Sequence, residues 1–389
     1  MILETTLSFE RLIALARRES GMTGPVEPDL AQRVAGIIGW INERGPFDPA
    51  TVRAMQDQIQ RLLATRLKLA LDRERFAAIA AEPIERPVFI IGFARSGTTL
   101  LHSLLAEDPA VLKPQSWHMY SPSPPPGAGP VVAERIACAR RQVEAWMDFC
   151  PAQKPMHPYI DKGAFQLIED EEIFALDFRT LYPYHFYRVP VLDSMPPIAT
   201  DQQGAFAFHR RLLQHLQWGD PRRRWVCKGP SGQMHLDALF AVYPDALCIW
   251  PHRPLGEIWA SNVALRAAIF DTITGVPRDW AAQAKGHVEA MKAAIDRLIA
   301  SERIDDPRVM HLDFREIASD PVGVLRKVYA RQGVTLGEDG AARAAAWLAD
   351  PENAADRHGR YPYSYEAFGL DRGWVEELFA DYSRRFGLA

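Results

Sequence analysis

Several short segments carry side chains that can hold or move charge. The first is Gly92-Phe-Ala-Arg95-Ser96-Gly97-Thr98-Thr99, which follows the apolar run Val88-Phe-Ile-Ile91 and precedes an apolar helical pattern. Strand, glycine-bounded loop and helix start together make an anion site, because backbone N–H groups converge and the helix dipole favours negative charge. Arg95 adds a fixed charge there; Ser96, Thr98 and Thr99 add hydroxyl donors. A second segment, Ala246-Leu-Cys-Ile-Trp-Pro-His252-Arg253, delivers Arg253 to the carboxyl edge of a sheet. Ser261 follows eight residues later, about two helical turns on, so that both groups can serve one anion. The arginine fork suits phosphate, and serine is a neutral donor. Lys228, in Trp225-Val-Cys-Lys228-Gly-Pro230, puts a cation at another strand end. His118, in Pro114-Gln-Ser-Trp117-His118-Met-Tyr120, is an imidazole suited to taking a proton from an alcohol. The acidic run Glu169-Asp170-Glu171-Glu172 is the other source of a base, although such a run is commonly a solvated helix face.

The first loop departs from the G-x-x-x-x-G-K-[ST] pattern of nucleotide triphosphatases: Thr98 stands at the lysine position, and the cation is Arg95. In this form it resembles the 5′-phosphosulfate-binding loop, x-[KR]-S-G-T-T, of sulfotransferases that use 3′-phosphoadenosine 5′-phosphosulfate (PAPS). The strand–Arg253–x7–Ser261 spacing resembles their 3′-phosphate motif, with Pro254-Leu255 where relatives read Asp-Pro. Lys228-Gly-Pro230 resembles their Lys-x-Pro strand end, with Gly232 where relatives carry a histidine and with His235 three residues further on. Trp117-His118 before Pro122–Pro130 resembles the Trp-Glu that precedes a proline run in the broad bacterial and tyrosylprotein-type branch. The segment from His358 through Tyr363-Ser364 to Phe368-Gly-Leu370 is similar to the C-terminal motif of that branch.

The resemblance implies a P-loop-like three-layer α/β fold with a central parallel sheet flanked by helices, plus an all-helical N-terminal extension. It implies PAPS as donor, PAP as product and no metal. The activity would be in-line sulfuryl transfer to a hydroxyl or amine of a small-molecule or lipid acceptor. Arg95, Ser96, Gly97, Thr98 and Thr99 would bind the phosphosulfate, and Arg253 and Ser261 the 3′-phosphate. Arg357 and Arg360 would close over that phosphate. Arg95, Lys228 and His118 would be catalytic, with Glu169 or Asp170 the alternative base and the role of His235 open. Two other readings stand beside this one: a P-loop kinase using ATP and Mg²⁺, and an inactive PAP- or PAPS-binding module. The kinase is disfavoured by the missing lysine and by a cation, not an Asp, at the second strand end.

Alternating strand and helix patterns from residue 85 onward require a parallel sheet covered on both faces. Strands are expected at Val88–Ile91, Arg224–Lys228, Ala246–Trp250 and Val309–Leu312. Helices are expected at Gly97–Ala106, Val131–Phe149, Gly163–Phe178, Gly204–Gln217, Leu236–Val242, Pro254–Ala268, Asp279–Ser301, Pro321–Gly333, Asp339–Ala349 and Arg372–Phe386. Before them, Leu7–Arg18, Glu27–Glu43 and Asp48–Ala81 read as helices, giving an extension over 1–84 and a sulfotransferase domain over 85–389. At 389 residues and net charge −4, the chain can bury a large core and has no overall pull toward nucleic acid. The four cysteines are far apart and fit free thiols in a reducing compartment. The N-terminus lacks a signal-peptide pattern and no run reaches about 18 apolar residues. The expected location is the cytoplasm, without a transmembrane segment. Trp117, Met119, Tyr120 and the aromatic region Phe174–Tyr187 favour a hydrophobic acceptor over a charged polysaccharide.

Overall fold

The computed structural model describes residues 5–130, 132–157, 159–192, 196 and 200–388. Val131, expected to open the helix ending at Phe149, lies outside them. Three helices come first: α1 (Phe9–Ser20), α2 (Pro28–Asn42) and α3 (Pro49–Arg75). Then β1 (Val88–Ile91) leads into α4 (Thr98–Leu105). A long helical and looped excursion follows: α5 (Ser116–Tyr120), α6 (Ala133–Phe149), α7 (Gln153–Met156), α8 (Asp170–Leu176), α9 (Pro183–Phe186) and α10 (Gln202–Gln217). The chain returns as β2 (Val226–Gly229), α11 (Leu236–Val242), β3 (Leu247–His252), α12 (Leu255–Thr274), α13 (Trp280–Ile299) and β4 (Val309–Asp313). It closes with α14 (Phe314–Ser319), α15 (Pro321–Arg331), α16 (Glu338–Ala349), α17 (Arg372–Leu378) and α18 (Ala380–Phe386).

The strands form one parallel sheet in the order β2-β1-β3-β4. Val88 stands opposite Val226 on one side and Leu247 on the other, and Cys248 stands opposite Val309. Successive residues of a strand point to opposite faces, so the strands divide their side chains between two cores. Phe89, Ile91, Cys227, Cys248 and Trp250 join the larger core, with α10 to α13 and the N-terminal helices. Val88, Ile90, Val226, Leu247 and Ile249 join the smaller one, with α4, α15 and α16. Burial on both faces explains why these strands are nearly continuous apolar runs. The N-terminal helices share their core with the sheet. Arg33 on α2 and Arg66 on α3 also reach the buried Asp177 that follows α8, at 2.9 and 2.7 Å.

Three expected helices differ in a way that shapes the site. The pattern over Gly163–Phe178 gives only a 3₁₀ turn at Gly163–Phe165 and then α8. Between them the backbone is captured by an earlier segment: Ser116 N–H donates to Gln166 O and Ile168 N–H to Pro114 O. That pairing moves the helix start to Glu169. The run ending at Ala81 breaks at Phe76, whose ring packs 5.0 Å from that of Trp218. The following carbonyls of Ala80 and Glu82 are taken by the Gln214 amide. The C-terminal run splits at Phe379, whose buried ring stacks on Trp259.

Candidate active site

Parallel strands end at one edge, so the turns after β1, β2, β3 and β4 meet there. The turn after β1 is tight. Gly92 has φ 123, and a Cβ on it would lie 3.0 Å from the Trp250 ring. Gly97 has φ 94, and a Cβ there would fall 2.7 Å from the Phe314 ring at the end of β4. Arg95 itself holds φ 76, a left-handed conformation that costs a non-glycine residue about 1–3 kcal/mol and is found where surrounding structure imposes it. The Gly92 N–H donates to the Gln233 side chain at 2.9 Å, which ties the loop to the turn after β2. Ser96 Oγ donates to Phe93 O at 2.8 Å. The first turn of α4 has no side-chain cap, which leaves its leading N–H groups for an anion.

A cleft of about 1530 Å³ opens over this edge. Arg95, Gly97, Thr98, Thr99, Lys228 and Arg253 line one part of it. Arg95 donates to Met156 O through one guanidinium nitrogen, while its Nε is buried without a partner. Arg253 Nη1 approaches Arg95 O at 3.4 Å, and its Nε pairs with Glu257 at 2.8 Å. Arg253 also borders a shallow groove with Tyr363, Ser364 and Arg372.

Lys228 is the pivot. Its chain is buried, and its Nζ donates to Thr99 Oγ1 at 2.8 Å and to Glu169 Oε1 at 2.5 Å. Glu169 caps α8 and lies 3.7 Å from His157 Nε2. Burial pushes the Glu169 carboxyl up, but Lys228 and His157 together outweigh it and hold it well below the usual range. Its neighbour Glu172 is pushed well above that range by burial and by the charge on Glu169. Glu171 is raised to about 7 by burial, against hydrogen bonds from Thr180, Leu181 and Ser231. Positions three apart in one acidic run are thus pushed in opposite directions, Glu169 down and Glu172 up.

His118 does not line this cleft. It is buried in the capping box of α5, where Nδ1 accepts from the Gln115 N–H at 3.0 Å. Burial lowers its pKa to about 3, with help from Arg135. The ring expected to act as base thus sits at a helix end and not in the cleft lining. Ser96 and Ser261 are also buried away from the lining, Ser261 within α12. Arg357 bonds Asp161 and approaches Glu352 at 3.4 Å; Arg360 is exposed, and neither lines the cleft. His235 does line it, lowered to about 4 by burial. Gly232 stands where a Cβ would meet Ile91 at 2.6 Å, so no side chain fits there without a shift. His157 and Gln233 carry no signal in the sequence, being single polar residues in loops.

Much of the rest of the cleft is aromatic and aliphatic, with Tyr120, Val143, Trp146, Tyr182, Tyr184 and Ile269, and Arg61, Arg188 and Arg266 stand among them. The aromatic and aliphatic side chains come from α5, α6, α9 and its approach, and α12, while α3 supplies Asp57, Gln58 and Arg61. Elsewhere among the described residues, Asp170, His209 and Cys227 bring ligand-type atoms within 4.8 Å of one another. Both His209 nitrogens are already engaged, by Tyr243 OH at 2.8 Å and by Asp170 at 3.2 Å.

A parallel α/β sheet carrying a lysine-less phosphate loop and converging cations defines an anion-transfer enzyme of the sulfotransferase kind. The chain belongs to the sulfotransferase family, whose description matches residues 87–338. It is similar to sulfotransferase STF9 from Mycobacterium avium, with 25% identity and a TM-score of 0.78 over 100% of this chain and 98% of that one. Sulfotransferase STF1 from Mycobacterium tuberculosis H37Rv has the same fold, at TM-score 0.71 and 23% identity, over 97% of this chain and 99% of that one. A curated relative is the omega-hydroxy-beta-dihydromenaquinone-9 sulfotransferase Stf3 of Mycobacterium bovis. It is 23% identical over 334 residues, which cover 82% of this chain and 79% of that protein. Among the described residues no helix is long and apolar enough to cross a membrane.

Proposed function

We propose that this sulfotransferase moves the sulfuryl group of PAPS to a hydroxyl on an apolar small-molecule or lipid acceptor, in the cytoplasm. The observation that carries this reading is the position of Lys228 Nζ, held between Thr99 of the phosphate loop and Glu169 on the side facing the aromatic wall. A donor anion on the loop and an acceptor hydroxyl at Glu169 would meet at that lysine.

The residues present fit the donor. The α4 N-terminus, Thr98, Thr99 and the unpartnered Nε of Arg95 would hold a 5′-phosphosulfate, and Arg253 would extend the positive edge toward a 3′-phosphate. PAPS would supply an activated sulfuryl group whose S–O bond to phosphate breaks in transfer. Glu169 takes the acceptor's hydroxyl proton as the new O–S bond forms. Arg95 and Lys228 offset the charge that collects on the sulfuryl oxygens and on the departing phosphate of PAP. When Lys228 turns to that charge, Glu169 loses part of the counterion that holds its pKa down, so basicity rises only with donor in place. The aromatic wall, and the lipid quinone named for the Mycobacterium bovis relative, support an apolar acceptor.

Calorimetric titration with PAP, and separately with ATP and Mg²⁺, tests the donor. PAP binding without metal, weakened by Arg253→Ala, is the expected result. Binding of ATP that requires Mg²⁺, with no response to PAP, overturns the reading.

A further inference from the structure

Among the described residues Arg61, Arg188 and Arg266 line the acceptor side without an ion pair, and the first two also hold a shielded donor without a partner. Arg61 on α3 and Arg188, two residues past α9, both line the cleft. Neither makes an ion pair or a side-chain hydrogen bond among the described residues, and the Nη1 atom of each is shielded from solvent without a partner. Some arginines elsewhere are satisfied; Arg224 is not, its Nη1 being likewise shielded and its guanidinium lying over the Tyr329 ring at 5.7 Å. Arg33 and Arg66 converge on Asp177, and Arg135 donates to the carbonyls of Ser121 and Pro122. Arg61 and Arg188 have only ring faces. The Arg61 guanidinium carbon lies 4.8 Å from the Tyr120 centroid, and that of Arg188 lies 4.2 Å from Trp146 and 4.9 Å from Phe149.

Stacking returns about 0.5–2 kcal/mol per contact, but it leaves the shielded Nη1 donors unsatisfied. A guanidinium withdrawn from water without an acceptor is costly. Burial accordingly lowers both pKa values, that of Arg188 to about 10, and the charge on Arg61 adds to the effect at Arg188. The backbone bears a cost as well: Arg188 holds φ 59, left-handed for a residue with a side chain. Two like charges, open donors and a local backbone cost, all facing one cavity, are the marks of a site completed by a ligand.

We propose that Arg61 and Arg188 form a second anion site, at the acceptor end of the cleft, for the carboxylate or phosphate of an amphipathic acceptor. Its apolar chain would lie along Tyr120, Trp146 and Phe149, with its hydroxyl toward Glu169. The acceptor role rests on the sulfotransferase reading; the anion site does not. The class of acceptor is thereby narrowed from a neutral lipid alcohol to an acidic one.

Calorimetry on the full chain with dodecanoate, dodecyl phosphate and methyl dodecanoate, with and without saturating PAP, tests this. At least one of the two anions is expected to bind about tenfold or more tightly than the ester, as charge-assisted hydrogen bonds require. The preferred anion identifies the headgroup. Arg188→Gln or Arg61→Gln should bring anion and ester to within about twofold while leaving PAP affinity unchanged. Equal binding of anions and ester by the unsubstituted protein overturns the proposal without recourse to any variant. A preference that survives both substitutions does the same. PAP binding without an anion preference removes only this inference, whereas an anion preference without PAP binding removes only the sulfotransferase reading.

Discussion

The two ends of the cleft are built by opposite means. At the proposed donor end the anion ligands would be backbone N–H groups and a few cations, held by a loop of six residues in which Gly92, Arg95 and Gly97 take positive φ. At the acceptor end the surface is side chain only, contributed by helices α3, α5, α6, α9 and α12 with no shared backbone motif. A backbone site tolerates few changes and recognises one chemistry. A side-chain wall can be recut residue by residue, which lets one fold serve many acceptors. Lys228 joins the two ends, with one contact on each.

The largest test of this division is Glu169→Gln. Turnover should fall about 10²–10⁴-fold, with PAP affinity nearly unchanged, in single-turnover assays. A loss below about tenfold would place the base elsewhere. Next comes Arg95→Ala, for which a fall in kcat of about 10²–10³ is expected, together with weaker PAP binding. If Arg95→Ala altered only the acceptor KM, the two ends would not be separate. Gly97→Ala should cost about 1–3 kcal/mol of stability in chemical denaturation, because its φ of 94 is strained for alanine and its Cβ would collide with Phe314. Trp146→Ala should raise acceptor KM several-fold, about 1 kcal/mol, and leave PAP affinity alone.

The smallest effect is a pH trend. Glu171 is raised by burial from 4.5 to about 7, so the folded state binds a proton that the unfolded state has released between those values. Its stabilising contribution is complete below 4.5 and is lost as pH rises toward 7. Against wild type, Glu171→Gln should therefore become relatively more stable across that window in thermal unfolding. A stability difference that does not change with pH would place Glu171 outside the titrating set.

The same asymmetry decides what the sequence reveals. The strand, loop and helix start of the proposed donor end were legible because they are contiguous: an apolar run, a glycine loop and a helix start can be read without knowing any partner. Strands β1 to β3 were legible for a related reason, since double-sided burial favours apolar runs, whereas the edge strand β4 is only partly buried and shows as a short apolar pattern. The base was not. Glu169 reads as one member of an acidic run on a helix face, and only the pairing of residues 166–168 with 114–116 turns it toward Lys228. His118 looked better placed because it stands beside a proline-rich loop, but its ring serves a helix end. Of the aromatic wall, Tyr120, Tyr182 and Tyr184 fall in segments the sequence singles out, whereas Trp146, Arg61 and Arg188 do not: the chain brings them together only in three dimensions.

The tightness of the phosphate loop also bears on how the protein is made. Gly92 is held by Gln233, 141 residues further along the chain, and Gly97 is pressed by Phe314, further still. β1, which leads into the loop, pairs only with β2 and β3. At roughly 5–20 residues per second, a ribosome would release the motif long before any of these partners emerged. The most recognisable part of the sequence is therefore among the last parts of the molecule to take shape. A nascent chain or fragment ending before Val226 would carry the whole signature and have no means of holding its anion.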